Sequence, residues 1–318
     1  MSGSKIAGIE YYLPKKKENN NHLKKNNPKW DINRIYEKTG INNRYISSEK
    51  ENTIDIAEKS IKKLIKKFPK TKIDFLILVT QTSPYRIPTA ACILQERLRL
   101  PKSIIAFDIN LGCSGFIYAL RVATAFIESK QAKNGLIVCA DTYTKLISKN
   151  NAQCRPIFSD AAAATLITTS KKNKIGPFEL GTDGSGYNAL ELPQGKHEVV
   201  MNGSKVLTFA MSIVPENVNI LLKKIKSKVN KIDMFIFHQA SKFILDNINR
   251  KLSIPKNKTY ENLSKVGNTI SASIPIALKD ASKNNIKNNH KVIIAGYGVG
   301  LSWGSALIKW EKIKWLKK

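Results

Sequence analysis

KIDFLILVTQTS at Lys72–Ser83 and KIDMFIFHQAS at Lys231–Ser241 carry the fold of this chain. Each opens on a charged residue, passes through a short apolar run (FLILV, MFIF) and leaves through polar residues. That is the pattern of a buried strand delivering side chains at its C-terminal edge. The two neighbourhoods also match downstream. RLRLPKSIIAFDINLGCSGFIYAL and RKLSIPKNKTYENLSKVGNTISASIPIAL both run from a helix end through proline, a strand and a small-residue turn into an apolar helix.

The spacing follows the same plan. Pro101 to Cys113 is 12 positions and Pro255 to Asn268 is 13; Cys113 to Leu136 is 23 and Asn268 to Val292 is 24. The strands GLIVCA and KVIIAG come next. Chance similarity of alternating strands and helices explains the element types but not the matched spacing, which indicates duplication. Two such halves, 1–170 and 171–318, predict a layered α/β structure around mixed sheets. Ligands are then expected where strand C-terminal edges of the two halves converge. Cys113, His238 and Asn268 fall at such edges.

Cys113 lies where the strand SIIAFDI turns through small residues into the helix FIYAL. A thiolate at a helix N-terminus is favoured by the macrodipole, so a lowered pKa is expected there. The Cys113 N–H is also placed to face an oxyanion. Cys92 and Cys139 read as buried small hydrophobes, and Cys154 as a loop residue near the site. Of four histidines, His22, His197 and His290 stand in polar, Lys/Asn-rich segments and read as surface. His238 ends the apolar strand MFIF, where the duplicated strand carries Val79 and Thr80, so packing does not demand an imidazole. Asn268 alone reads equally well as a helix cap; beside Cys113 and His238 its amide could donate to an oxygen bearing developing charge. Cys, His and Asn together also suit a cysteine hydrolase.

Composition narrows the classes. The chain has 318 residues, 42% hydrophobic and 24% charged, ordinary for a folded globular protein. KKKENNNHLKKNNPK at Lys15–Lys29 reads as a solvated loop. Net charge is +29, from 53 Lys and Arg against 24 Asp and Glu. The lysines are scattered and no nucleic-acid motif accompanies them, so no nucleic-acid partner is expected; a positive surface would steer an acidic carrier or a phosphorylated coenzyme. The cysteines form no CxxC or zinc pattern, and a free thiol fits a reducing cytoplasm. No membrane span is expected. The tail IKWEKIKWLKK reads as a final strand with a solvated end. GYGVGLSWGS at Gly296–Ser305 has Trp303 where a dinucleotide fingerprint needs its third glycine, and reads instead as a turn bringing N–H groups to an oxyanion.

Eight ordered motifs, NLGCSGF, HQAS, GNTISASIPIAL, GYGVGLSWGSALI, KTGINNRYI, SPYRIPTAACILQERL, FSDAAAATLI and MNGSKVLTFA, resemble the beta-ketoacyl-acyl-carrier-protein synthase III group. The resemblance runs from about Lys5 to Trp310. It implies a homodimeric thiolase fold in a layered αβαβα arrangement, without metal or other cofactor. It implies that Cys113 takes an acyl primer from a thioester, and that His238 and Asn268 stabilise the enolate formed as malonyl-acyl carrier protein loses carbon dioxide. The product is a beta-ketoacyl chain for fatty-acid or specialised acyl synthesis. The Cys113 and Val299 N–H groups would form an oxyanion hole, Ile87 would reach across the dimer to the primer pocket, and Arg250 and Lys251 would dock the carrier. Asp160 matches a structural position. Arg34 and Lys38 stand where the family has its adenine-stacking Trp and a motif Arg, which opens the way to a carrier-bound primer in place of acyl-coenzyme A. The second reading on the same scaffold is an acyltransferase that passes the Cys113-bound acyl group to a hydroxyl or amine without decarboxylation.

Overall fold

The computed structural model describes residues 3–313. Five strands form one mixed sheet in the order Gly3–Tyr12, Ala161–Ser170, Asn134–Asp141, Phe75–Val79, Ile105–Ile109. Four form a second, in the order Ile175–Thr182, Ser302–Lys309, Lys291–Gly298, Met234–Phe237. Strand for strand the orders correspond. In each sheet one central strand pairs parallel with the strand read first (Phe75–Val79 or Met234–Phe237) and antiparallel with its other neighbour. The fifth strand of the first sheet has a reduced counterpart: after Pro255 the second half keeps only a single parallel bridge, Phe235 to Thr259. The expected strand fails there because KNKTYEN offers no apolar alternation to bury.

Alternation sorts the strand residues between layers. Phe75, Ile77 and Val79 face inward, with Met234 and Ile236 from the other sheet, onto the helices Gly115–Glu128 and Ser273–Asn284 between the sheets. Leu76 and Leu78 face outward onto the helices Thr53–Ile65 and Ala90–Arg97. Phe235 and Phe237 face outward onto Gly203–Lys224 and Lys242–Lys251. The result is five layers, αβαβα, as expected. Helix Gly203–Lys224 is long and apolar enough to cross a membrane by length and composition; in this fold Ala210, Val214, Val218 and Leu221 are buried against the second sheet.

Two local expectations are corrected. Lys15–Lys29 is not a loop throughout. Lys16–Asn19 pairs with Asn43–Ile46, and Asn20–Asn26 is a helix whose Asn19 cap accepts from His22 N–H while the His22 ring accepts from Asn19 N–H. Buried Leu23 and the buried ion pair of Glu18 with Arg155, 2.9 Å, anchor the segment. Cys92 is exposed, because Ala90, Ala91 and Leu94 already supply the inner face of its helix. Asp160 is structural: buried, it accepts from Ser47 N–H, Thr144 N–H and the Thr144 hydroxyl at 2.7–2.9 Å. The tail is a strand to Lys309 with Trp310 buried; residues 314–318 lie outside the described part.

Candidate functional site

The C-terminal edges of both sheets meet around Cys113. The residue stands two positions before the central helix Gly115–Glu128, 9% exposed, in an apolar cluster with Tyr143, Cys154, Phe158 and Ile270. Against it lies the hairpin that joins the last two strands of the second sheet. A Cβ on Gly298 would sit 2.8 Å from Cys113 Cβ, and one on Gly296 2.7 Å from its carbonyl oxygen. Only glycines let the backbone approach this closely. The Ser114 and Ser302 hydroxyls bond at 2.7 Å, and Ser302 donates to the Val299 carbonyl at 2.9 Å, tying the Val299 turn to the residue after Cys113.

Replacing Gly298 by alanine therefore has a calculable consequence. The added methyl has no space without shifting Cys113, a strain of about 1–3 kcal/mol. Gly298→Ala is expected to slow the acylation that the sequence resemblance assigns to Cys113 by about tenfold or more, read by intact-mass kinetics, because a displaced sulfur loses its attack geometry.

His238 follows the strand Met234–Phe237 and is buried. Its Nδ1 shares a 2.7 Å hydrogen bond with the Ser273 hydroxyl, and its ring meets Tyr297 edge-on, centroids 5.4 Å apart. Burial brings its pKa down to about 3, so the imidazole is neutral. Asn268 is also buried. Its Oδ1 accepts from Ile270 N–H at 3.0 Å, its N–H donates to Ile157 and its carbonyl accepts from Ser159. Asn268 is not a helix cap, since the short helix Ile270–Ala272 follows Thr269 and has no side-chain cap; the bond from Ile270 N–H is a local turn that fixes the amide plane and commits Oδ1. Ile270 pays for the turn with φ of 51°, a left-handed conformation unfavourable for a β-branched residue.

Cys113 itself departs from expectation. Burial, and then the nearby Asp141 carboxylate, push the Cys113 thiol well up, so it rests as the protonated thiol rather than a thiolate. Asp141 is the residue that the sequence left unread. Fully buried at the end of Asn134–Asp141, it has its pKa raised to about 6 by desolvation, opposed by hydrogen bonds from Gln81, Ser271, Thr80 and Thr82. The sequence also assigns no role to Ser273, Tyr297 or Gly298, although they lie within GNTISASIPIAL and GYGVGLSWGSALI.

His238 and Asp141 act oppositely on stability. The unfolded chain protonates its histidine below the usual 6.5 while folded His238 stays neutral to about 3, so stability is lost as pH falls across that window. Asp141, raised from 3.8 to about 6, gives stability that is present below its unfolded value and lost as pH rises through about 6. Between about pH 4 and 6 the two offset. Asp141→Asn removes one side, and urea unfolding across this window is expected to show acid destabilisation steeper than the parent's by up to about 3 kcal/mol.

The other expected site residues lie outside this centre. Arg34 and Lys38 are exposed on the helix Ile32–Thr39, which packs on the helix Lys242–Lys251 carrying exposed Arg250 and Lys251. Arg250 donates to Asn247, and Lys251 to the Met211 carbonyl. Ile87 is 87% exposed. Among the described residues no group of three His, Cys, Asp or Glu stands together as metal ligands.

Sequence models of the family match the chain in two blocks: 3-Oxoacyl-[acyl-carrier-protein (ACP)] synthase III over residues 107–184, and its C-terminal region over residues 222–310. A beta-ketoacyl-[acyl-carrier-protein] synthase III of Clostridium perfringens is 36% identical over 97% of this chain and 100% of its own length. That of Fusobacterium nucleatum subsp. nucleatum is 35% identical over 98% and 99%. The solved 3-oxoacyl-[acyl-carrier-protein] synthase III from Aquifex aeolicus superposes with a TM-score of 0.91 at 33% identity, covering 97% of this chain and all of that one. The five-layer arrangement is accordingly the thiolase fold, and the chain belongs to the beta-ketoacyl-acyl-carrier-protein synthase III family.

Proposed function

We infer that this chain is a condensing enzyme that joins a Cys113-bound acyl primer to malonyl-acyl carrier protein with loss of carbon dioxide. What supports the reading is the set of contacts around the buried Cys113 thiol: Ile270, in the same apolar cluster, donates its N–H to Asn268, and Tyr297, next to the Gly298 that abuts Cys113, meets the His238 ring edge-on.

In the first half-reaction Cys113 Sγ attacks the primer's thioester carbonyl, loses its proton as it does so, and expels the donor's thiol. The N–H groups of Cys113 and Val299 take the tetrahedral oxyanion. In the second, the malonyl carbon–carboxylate bond breaks and its electrons pass to an enolate. With the Ser273 hydroxyl donating to Nδ1, His238 carries its proton on Nε2 and can donate to the enolate oxygen together with the Asn268 amide. Neutrality matters: a neutral donor stabilises the enolate without surrendering a proton to it. The enolate carbon attacks the acyl carbonyl, the Sγ–carbon bond breaks, and the released thiolate takes a proton from water.

Exposed Arg250 and Lys251 are the docking surface for the acidic carrier in this reading. Arg34 and Lys38, on the helix packed beside them, favour a carrier-bound over a coenzyme A-bound primer. The outer edge of Ile105–Ile109 pairs with no strand among the described residues, which supports a homodimer joined through it, with Ile87 reaching the partner's primer pocket. The halves 1–170 and 171–318 and a cytoplasmic setting belong to the same proposal.

The test presents acyl-coenzyme A and acyl-carrier donors in parallel and reads the intact mass of the protein, then adds malonyl-carrier protein. A Cys113 adduct that malonyl-carrier discharges as carbon dioxide and beta-ketoacyl product supports condensation. An adduct discharged by a hydroxyl or amine but never by malonyl-carrier would replace it with simple acyl transfer.

A further inference from the structure

Asp141 has no exposed surface, yet what holds it is a set of donors rather than a cation. Its Oδ1 accepts from Gln81 N–H at 2.8 Å and from the Thr80 and Thr82 hydroxyls at 3.2 and 3.3 Å. Its Oδ2 accepts from the Ser271 hydroxyl at 2.7 Å, 130 residues away and in the other half of the molecule. A buried carboxylate is costly unless fully hydrogen-bonded, and a hydrophobic residue would serve a purely structural sheet end more cheaply.

The internal repeat shows what the position is. Asp141 and Gly298 are each the eighth and last residue of corresponding strands, Asn134–Asp141 and Lys291–Gly298. Counted from the helix starts, the counterpart of Cys113 is Ser271, three residues beyond the Asn268 that the spacing from the prolines suggests: each stands two residues before its central helix, Gly115–Glu128 or Ser273–Asn284. The contact of Cys113 with Gly298 therefore has a twin, the bond of Ser271 with Asp141. One member of the pair became the nucleophile and its seat; the other became a hydrogen-bonded strut.

Both ends of the strut reach the chemistry. Gln81, held through its N–H, lays Oε1 where a Cβ on Gly112 would be only 2.6 Å away, one residue before Cys113. Ser271 lies between Ile270, whose N–H orients the Asn268 amide, and Ser273, whose hydroxyl orients His238. We propose that Asp141 is a positioning residue for the condensation: its carboxylate locks the Gln81 turn beside the nucleophile to the segment that aims Asn268 and His238, holding the groups of the two half-reactions in register. This rests on the condensing function inferred above. The titratable groups facing the carboxylate are the Cys113 and Cys139 thiols and the Tyr143 phenol.

Asp141→Asn keeps the shape but presents one N–H2 where a carboxylate only accepts. The amide oxygen satisfies Gln81, so Ser271 must turn from donor to acceptor. Ser271→Ala severs the strut and leaves Asp141 ionisable. In the full-length protein, Cys113 acylation by intact mass and condensation with malonyl-carrier protein are measured separately from pH 5 to 8. Both variants are expected to acylate within about threefold of the parent and to condense about 10–100-fold more slowly. The parent's condensation rate should also fall as pH drops through about 6, where Asp141 takes a proton, and Asp141→Asn should lack that limb. Unchanged condensation, or an equal loss in both half-reactions, overturns the proposal. If Asp141→Asn does not fold, Ser271→Ala decides by the same two rates. A parent protein that acylates but never decarboxylates malonyl-carrier would instead overturn the condensing function.

Discussion

Cys113→Ala is expected to give a folded protein that carries no acyl adduct from any donor and forms no beta-keto product. In the proposed reaction the Cys113 sulfur, at the strand–helix turn against the glycine hairpin, holds the acyl chain, so removing it ends covalent catalysis; a fall of at least about 10³-fold is expected for such a nucleophile. Stability should change little, by about 1 kcal/mol, since alanine fills the space short of one atom. The buried protonated thiol sharpens the result. Because Cys113 rests uncharged, the free enzyme should react sluggishly with iodoacetamide at neutral pH. Its reactivity toward bound thioester then comes from the site, through oxyanion stabilisation and loss of the proton during attack. Rapid alkylation with the rate profile of a low-pKa thiolate would contradict the buried resting state.

The second large effect lies on the other side of the cycle. His238→Ala should acylate at Cys113 but stall, accumulating the acyl-enzyme in the presence of malonyl-carrier protein. Loss of one preformed donor to a developing oxyanion costs about 10²–10³ in rate, or about 2.7–4 kcal/mol. Asn268→Ala should fail at the same step, and the double variant should lose less than the sum, because in the proposed reaction the two donors serve one oxygen. Equal impairment of acylation and condensation by His238→Ala would move the imidazole from the enolate to the first half-reaction. Since His238 is neutral down to about pH 3, the acid limb expected near pH 6 belongs to Asp141, and the condensation profile of Asp141→Asn should show no inflection near the usual histidine pKa.

Which parts of this centre are legible in the sequence follows from range. The duplicated apolar runs and their spacing fix the layers, because strand burial and helix amphipathicity act over a few residues. They also place Cys113 at a strand–turn–helix junction and His238 at a strand end, both where the structure has them. Local reasoning fails where a non-local partner decides. Cys92 was read as inward because cysteine usually is, but its helix already had three inward residues. The Lys/Asn-rich segment 15–29 looks unstructured until Asn43–Ile46 pairs with it and Arg155 meets Glu18.

The sequence by itself determined the α/β layering, the matching order of strands in the two sheets and the place of Cys113 at a strand–turn–helix junction, because each is written in the order and spacing of neighbouring residues. Only the tertiary structure decided the ionisation of that cysteine, the partner of His238 and the strut at Asp141. Helix position alone predicts a stabilised thiolate; the closed cluster around Cys113 and the carboxylate at Asp141 reverse the sign. The reason is that desolvation and charge proximity depend on which distant segments pack together, and Asp141 and Ser271, 130 residues apart, meet only when the two halves close.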